Sequence, residues 1–66
     1  MKNTRIEVIM SGSVAEAIKH ELKGVRLFNE SHGRKSFICS LEQFERIHGE
    51  VRLICNPFAA MNWNEL

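Results

Sequence analysis

The chain has 66 residues, of which 44% are hydrophobic and 26% are charged. This is the balance of a folded globular domain, and it excludes a charge-rich, disordered segment. Nine Lys and Arg residues oppose eight Asp and Glu residues, for a net charge of +1, so the chain has no bulk field that attracts nucleic acid or anionic lipid. No apolar run approaches the roughly 20 residues of a membrane span. We therefore expect a cytoplasmic protein that has no membrane partner.

The first half of the chain predicts a strand, a helix and a second strand. Apolar and polar residues alternate along TRIEVIM, residues 4–10, as they do in a strand. In the helix that follows, Ser13 and Glu16 have the spacing of a capping box, and Gly24 stands where a left-handed C-terminal cap belongs. The alternating Val-Arg-Leu-Phe of residues 25–28 then predicts the second strand.

The second half repeats this order after a turn that is predicted over residues 29–34. KSFIC, residues 35–39, predicts a strand, and Ser40 with Gln43 forms a second capping box. The helix that starts there is predicted to be about eight residues long and to end at Gly49. Val-Arg-Leu-Ile of residues 51–54 closely repeats residues 25–28, and it predicts a fourth strand.

Two successive units of strand, helix and strand are typical of the ferredoxin-like fold, an antiparallel sheet of split βαβ units with two helices on one face. The sequence therefore predicts a small α+β domain over residues 1–56 with the order βαββαβ. In this fold the third and fourth strands flank the first. A C-terminal tail follows over residues 57–66, in which Pro57 can start a short docked helix. An open sheet with the same elements in another order is the alternative.

Alternation along the predicted strands separates the two faces of the sheet. The predicted core residues, on the face toward the helices, are Ile6, Val8, Met10, Val25, Leu27, Phe37, Cys39, Val51, Leu53 and Cys55. The other face combines arginines with one large apolar residue per strand, namely Ile9, Phe28, Ile38 and Ile54. Because a fully solvated face needs no such residues, we expect it to be covered. The alternatives for the cover are the tail, folded back through Phe58, Met61 and Trp63, a homodimer, and a different partner.

No residue pattern indicates catalysis or metal binding. Cys39 and Cys55 lack the C-x-x-C spacing and the paired histidines of a zinc site, and we expect both to be buried free thiols. No nucleophile stands beside a base with a third orienting group, and Cys39 with His48 is the one pairing that comes into consideration. We expect a protein that is not an enzyme, with no catalytic residue, no metal and no cofactor.

Arginine combined with aromatic or aliphatic anchors is typical of the residues that dominate protein interfaces. The sequence predicts a small regulator or inhibitor that binds a larger protein through Arg26, Phe28, Arg52, Ile54, Phe58 and Trp63. The alternative is a nucleic-acid-binding protein whose basic hairpin and sheet contact phosphate through Arg5, Arg26, Arg34, Lys35 and Arg52. Its sheet lacks the stacking aromatics of RNA-binding sheets, because Ser36 and Ile38 occupy the expected positions.

The predicted hairpin, the helix SLEQFERIHG and the strand after it are faintly similar to the small phage-encoded inhibitors of uracil-DNA glycosylase. The similarity covers about half of the chain. Those inhibitors are acidic mimics of DNA, whereas this chain has a net charge of +1. We draw no family assignment from the similarity.

Overall fold

The computed structural model describes residues 4–66, without the side chain of Phe58. The elements along these residues are, in chain order, β1 (Arg5–Ser11), α1 (Gly12–Ala17), a 3-10 turn (Lys19–Glu21), β2 (Arg26–Ser31), β3 (Arg34–Ser40), α2 (Leu41–Ile54), α3 (Pro57–Ala60) and β4 (Met61–Glu65). The predicted α+β class is confirmed.

The four strands form one antiparallel sheet in the order β2-β3-β1-β4. β1 lies in the interior of this sheet, where Val8 is opposite Phe37 of β3 on one side and Trp63 of β4 on the other. β3 and β4 therefore flank β1, but β4 is not the predicted fourth strand over residues 51–54 and comes instead from the residues that the sequence assigns to the tail. β2 and β4 form the two edges.

A single layer of helices packs on one face of the sheet. The strand residues Ile6, Val8 and Met10 alternate with less buried neighbours, and they share one apolar core with residues from α1 and α2. The largest fully buried side chains are Met10, Ile18, Ile47, Val8 and Val51. Burying a side chain of this kind contributes about 1.5–3 kcal/mol, so the packing of α2 on β1 and β3 is a main source of stability.

The predicted end of the second helix at Gly49 and the predicted strand over residues 51–54 are both wrong, because α2 continues to Ile54. Ile47 and Val51 lie one helical turn apart, and both are fully buried. This burial outweighs the roughly 1 kcal/mol that a glycine costs inside a helix. The repeated Val-Arg-Leu therefore runs into a strand in its first copy, where β2 begins at Arg26, and is part of a helix in its second.

Serine side chains cap the first turns of α1 and α2. At α2 the predicted capping box is confirmed, since the Ser40 Oγ accepts the backbone N–H of Gln43 and the Gln43 side chain accepts the backbone N–H of Ser40. At α1 the box predicted for Ser13 and Glu16 is wrong, because the cap is Ser11. β1 extends to Ser11 and the helix starts immediately after it, so Ser13 already lies inside the helix.

Two turns depend on left-handed backbone conformations. Gly24 has φ of +77° after the 3-10 turn, so its predicted left-handed conformation is confirmed, but it does not cap the helix, because α1 ends at Ala17. The turn between β2 and β3 contains only His32 and Gly33, with φ of 55° and 74°. It is shorter than the predicted turn over residues 29–34, because residues 29–31 continue β2. The Gly12 N–H donates to the Gly33 carbonyl at 2.9 Å, and this bond ties the hairpin to the start of α1.

Three residues that were predicted for the core are exposed, namely Leu27, Leu53 and Cys55. Leu53 and Cys55 belong to the end of α2 and not to a strand, so they do not follow the strand alternation. Leu27 does lie on the helix side of the sheet, opposite Phe37. It is exposed because the helices pack on β1 and β3 and leave the edge strand β2 open.

Residues 57–66, which the sequence assigns to a tail, contain α3 and β4. Met61 is buried opposite Met10, in the core under the helices. The Trp63 ring also lies on this side, with its centroid 5.4 Å from that of Phe44 and 5.3 Å from that of His48. These residues therefore extend the sheet at its edge, and they do not cross its other face.

Candidate functional site

The face of the sheet opposite the helices is called the open face below. Strand alternation and register place on it Arg5, Glu7 and Ile9 of β1, Arg26 of β2, and Arg34 and Ile38 of β3. The three arginines are exposed, whereas Glu7, Ile9 and Ile38 are half-buried. Across residues 4–66 no helix packs on this face.

Charge is distributed unequally between the open face and the helices. The open face carries three arginines and one glutamate, whereas α1, the 3-10 turn and α2 together carry five glutamates and three Lys or Arg residues. The ion pairs among residues 4–66 join Lys19 to Glu16 and His20 to Glu50. Neither pair uses an arginine, so the three arginines of the open face have no ion-pair partner within the described residues.

Shallow recesses lie at the two ends of the open face. The larger one has a volume of about 620 Å³, and Arg5, Arg26, Ile38 and Leu41 contribute to its lining, where β3 runs into α2. The second, of about 250 Å³, lies beside the hairpin and is lined in part by Ile9, Asn29, His32 and Arg34. Arginine side chains therefore border a recess at each end of the face.

Strand β2 is the second exposed feature, and all six of its residues are exposed. Its apolar residues are Leu27, which is 49% exposed, and Phe28, which is 59% exposed. The strand register shifts between Leu27 and Asn29, so Phe28 lies at a β-bulge, a feature that is common at sheet edges. The β2 rim, as it is called below, consists of Arg26, Leu27 and Phe28. It presents a cation, an aliphatic group and an aromatic ring along the open edge of the sheet.

The residues predicted to bind a protein partner do not form one surface. Arg26 and Phe28 lie in β2, whereas Arg52 and Ile54 are exposed on α2, in the helix layer. Trp63 packs against aromatic rings of α2. Phe58 lies in α3, and its side chain is outside the described residues. The structure therefore joins only the first two of these residues.

The residues predicted to contact phosphate are better grouped. Arg5, Arg26 and Arg34 share the open face. Lys35 is opposite Met10, in the register of the helix side, and Arg52 lies on α2. Three of the five predicted basic residues therefore face one side of the sheet.

Sequence reasoning missed two apolar residues near Arg26. Leu27 was predicted for the core but is 49% exposed, and Leu41, the first residue of α2, is 48% exposed. No sequence signal identifies Leu27, because its exposure follows from how far the helix layer extends. For Leu41 the signal is its position next to the N-cap Ser40, in a first turn that extends beyond the sheet.

Cys39 and His48, the pairing considered for catalysis, make separate contacts in the structure. The Cys39 Sγ donates to the Ile6 carbonyl at 3.5 Å, and burial raises the pKa of this thiol. His48 packs with Phe44 and Trp63 instead. The considered pairing of Cys39 with His48 therefore has no support in their contacts.

One group of side chains has the composition of a metal site. The ligand atoms of His20, Glu21 and Glu50 all lie within 4.8 Å of one another. His20 Nε2 and Glu50 Oε2 are 3.5 Å apart, and both side chains are accessible to solvent. We interpret this contact as a polar link between the 3-10 turn and α2, which is an ion pair only when His20 is protonated.

The comparisons with known proteins add no assignment to this geometry. Among the described residues, no helix has both the length and the apolar character that crossing a membrane requires. No protein family, curated protein or solved structure matches the chain.

Proposed function

We propose that the protein is a small, non-enzymatic interaction module that regulates or inhibits a larger protein by binding it through the β2 rim. The observation that supports this proposal is the exposure of Leu27 and Phe28, 49% and 59%, on a strand that has no neighbour on its outer side in the described chain. Natural edge strands usually carry charged residues or proline as protection against unwanted pairing. β2 has such protection in the charges of Arg26 and Glu30 and in its bulge, but it also keeps two large apolar side chains, and these make it a candidate contact surface.

The β2 rim has the chemistry of an interface centre. Arginine and aromatic residues dominate the binding energy of many interfaces, and they do so from the middle of a patch that excludes water. Arg26 and Phe28 supply these groups. Leu41 lines the same recess as Arg26, and Leu27 adds apolar area on the helix side of the strand. The recess of about 620 Å³ that Arg26 and Leu41 border can accept a side chain of the partner.

We further propose that the fold is of the ferredoxin-like type. The order β2-β3-β1-β4, the antiparallel pairing of neighbours and the alternation of strands with helices support this assignment. The assignment explains why one sheet face is free, because in this arrangement both helices pack on the same side.

The experiment is a capture from nuclease-treated host lysate with tagged wild-type protein and two variants. Phe28→Ser removes the exposed aromatic ring of the β2 rim. Leu53→Ser is the matched control, because Leu53 is 78% exposed on α2 and also loses an apolar group to serine. We expect a protein that wild type and Leu53→Ser retain in near-equal amounts and that Phe28→Ser loses. Circular dichroism checks that both variants are folded.

Two outcomes contradict the proposal. A partner that both variants retain equally does not use the β2 rim. If no protein is captured and analytical ultracentrifugation shows a dimer that Phe28→Ser dissociates, the occupant of the rim is a second copy of this chain.

A further inference from the structure

We propose that the open face binds single-stranded nucleic acid, as a second function at a site that shares Arg26 and the larger recess with the β2 rim. The positive charge of the open face is the first reason. Arg5, Arg26 and Arg34 are exposed and have no ion-pair partner among residues 4–66. Such arginines are suited to phosphate, whose oxygens accept two N–H bonds from one guanidinium group.

The helices and the open face carry net charges of opposite sign, and this difference determines which side of the molecule attracts a polyanion. With five glutamates against three Lys or Arg residues, the helical elements repel a polyanion, whereas the open face attracts it. The net charge of +1 conceals this separation, because the two layers nearly cancel. Charge complementarity therefore selects the sheet side for a chain of phosphates.

The positions of the arginines suit an extended ligand. Arg5 stands at one end of β1, and Arg34 is opposite Ser11 at its other end. At about 3.3 Å per residue, these ends are about 20 Å apart. A recess borders an arginine at each end, so a strand of nucleic acid that crosses the face meets cations at both ends.

Apolar groups between the arginines favour a single strand over a duplex. Ile9 and Ile38 are half-buried on the open face, and they offer an apolar surface to unpaired bases. A duplex keeps its bases stacked inside and presents mainly its backbone. Glu7, on the same face and opposite Ile38, repels phosphate and limits the affinity.

The experiment measures the fluorescence anisotropy of a labelled oligonucleotide as single-stranded DNA, single-stranded RNA and duplex, over salt from about 50 to about 200 mM. Three phosphate contacts predict a slope of log K against log salt of about −2 for single strands. Arg5→Gln and Arg34→Gln are each expected to weaken binding and to make this slope shallower by about 0.7. Glu7→Gln is expected to strengthen binding.

The matched controls are Arg46→Gln and Arg52→Gln, which remove the same charge from α2 and are expected to leave the salt slope unchanged. Absence of binding at the lowest salt, equal weakening by the α2 variants, or tighter binding of the duplex overturns the proposal. Because neither Arg5 nor Arg34 belongs to the β2 rim, failure here leaves the proposed protein contact intact, and failure of the capture experiment leaves this inference intact.

Discussion

At the scale of single residues, the two cysteines show how the position of a residue in the fold determines whether its thiol is buried or exposed. Cys39 lies in β3 and is buried under the helices, where its thiol donates to a backbone carbonyl. Cys55 caps the C-terminus of α2 and is exposed. Both cysteines were predicted to be buried free thiols. This prediction is correct for Cys39, whereas Cys55 is free but exposed, because the strand to which it was assigned does not exist.

This difference predicts selective alkylation. Iodoacetamide at neutral pH should modify Cys55 in the native protein and leave Cys39 unmodified until denaturant is added. The thiolate is the reactive form, and burial both blocks access to Cys39 and raises the pKa of its thiol. Mass spectrometry of the intact protein, followed by peptide mapping, measures both sites.

Cys55→Ser is the control for this experiment, since it should abolish labelling of the native protein. Modification of Cys39 at the rate of Cys55 in the native state contradicts the burial of β3.

At the scale of elements, the two copies of Val-Arg-Leu show what a local pattern predicts and what it does not. β1, β3, the Ser40 capping box and the left-handed Gly24 were all predictable, because each depends on a few neighbouring residues. The second Val-Arg-Leu was not, since its conformation depends on Val51 packing under Ile47. The signal was present as helical spacing from Phe44 through Ile47 to Val51, but Gly49 was interpreted as the end of the helix.

Substitutions of two glycines test this correction. Gly49 lies inside α2 with open space around its missing side chain, so Gly49→Ala should raise the free energy of unfolding by about 0.5–1 kcal/mol. Gly24→Ala should lower it, because φ of +77° is strained for alanine. Urea denaturation followed by circular dichroism measures both changes. A lower free energy of unfolding in Gly49→Ala would contradict the continuation of α2 through Gly49, because that result is expected only if the helix ends at Gly49.

The candidate surfaces were less predictable than the strands. Alternation correctly put Arg5 and Arg26 on the open face, because period two is a property of the strand itself. The exposure of the β2 rim depends instead on the extent of the helix layer. α1 ends at Ala17 and its layer does not reach β2, and no pattern within β2 itself carries that information.

At the scale of the whole molecule, one sheet and one layer of helices share a small core. A chain of this size buries only about 60% of the surface that it exposes when unfolded. After the loss of conformational entropy is subtracted, its core contributes a net free energy of unfolding of about 3–5 kcal/mol at most. Val8, Ile47 and Val51 are fully buried at the centre of this core. The stability of the molecule therefore depends on few side chains.

Ile47→Ala is expected to cost about 2–5 kcal/mol, which is enough to unfold much of the protein at room temperature. Leu53→Ala, on the same helix but 78% exposed, should change stability by less than about 0.5 kcal/mol. Thermal unfolding followed by circular dichroism compares the two variants with wild type. Equal effects of the two substitutions contradict the orientation of α2 on the sheet.

The pairing of β1 with β4 has a consequence for the synthesis of the protein. Ile6 is opposite Glu65 and Met10 is opposite Met61. β1 therefore has no neighbour on that side until the ribosome has synthesised β4. Until then β1 exposes a row of unpaired backbone groups beside apolar side chains, the kind of edge that pairs with other chains. Both edges of β1 are therefore paired only after β4 has emerged.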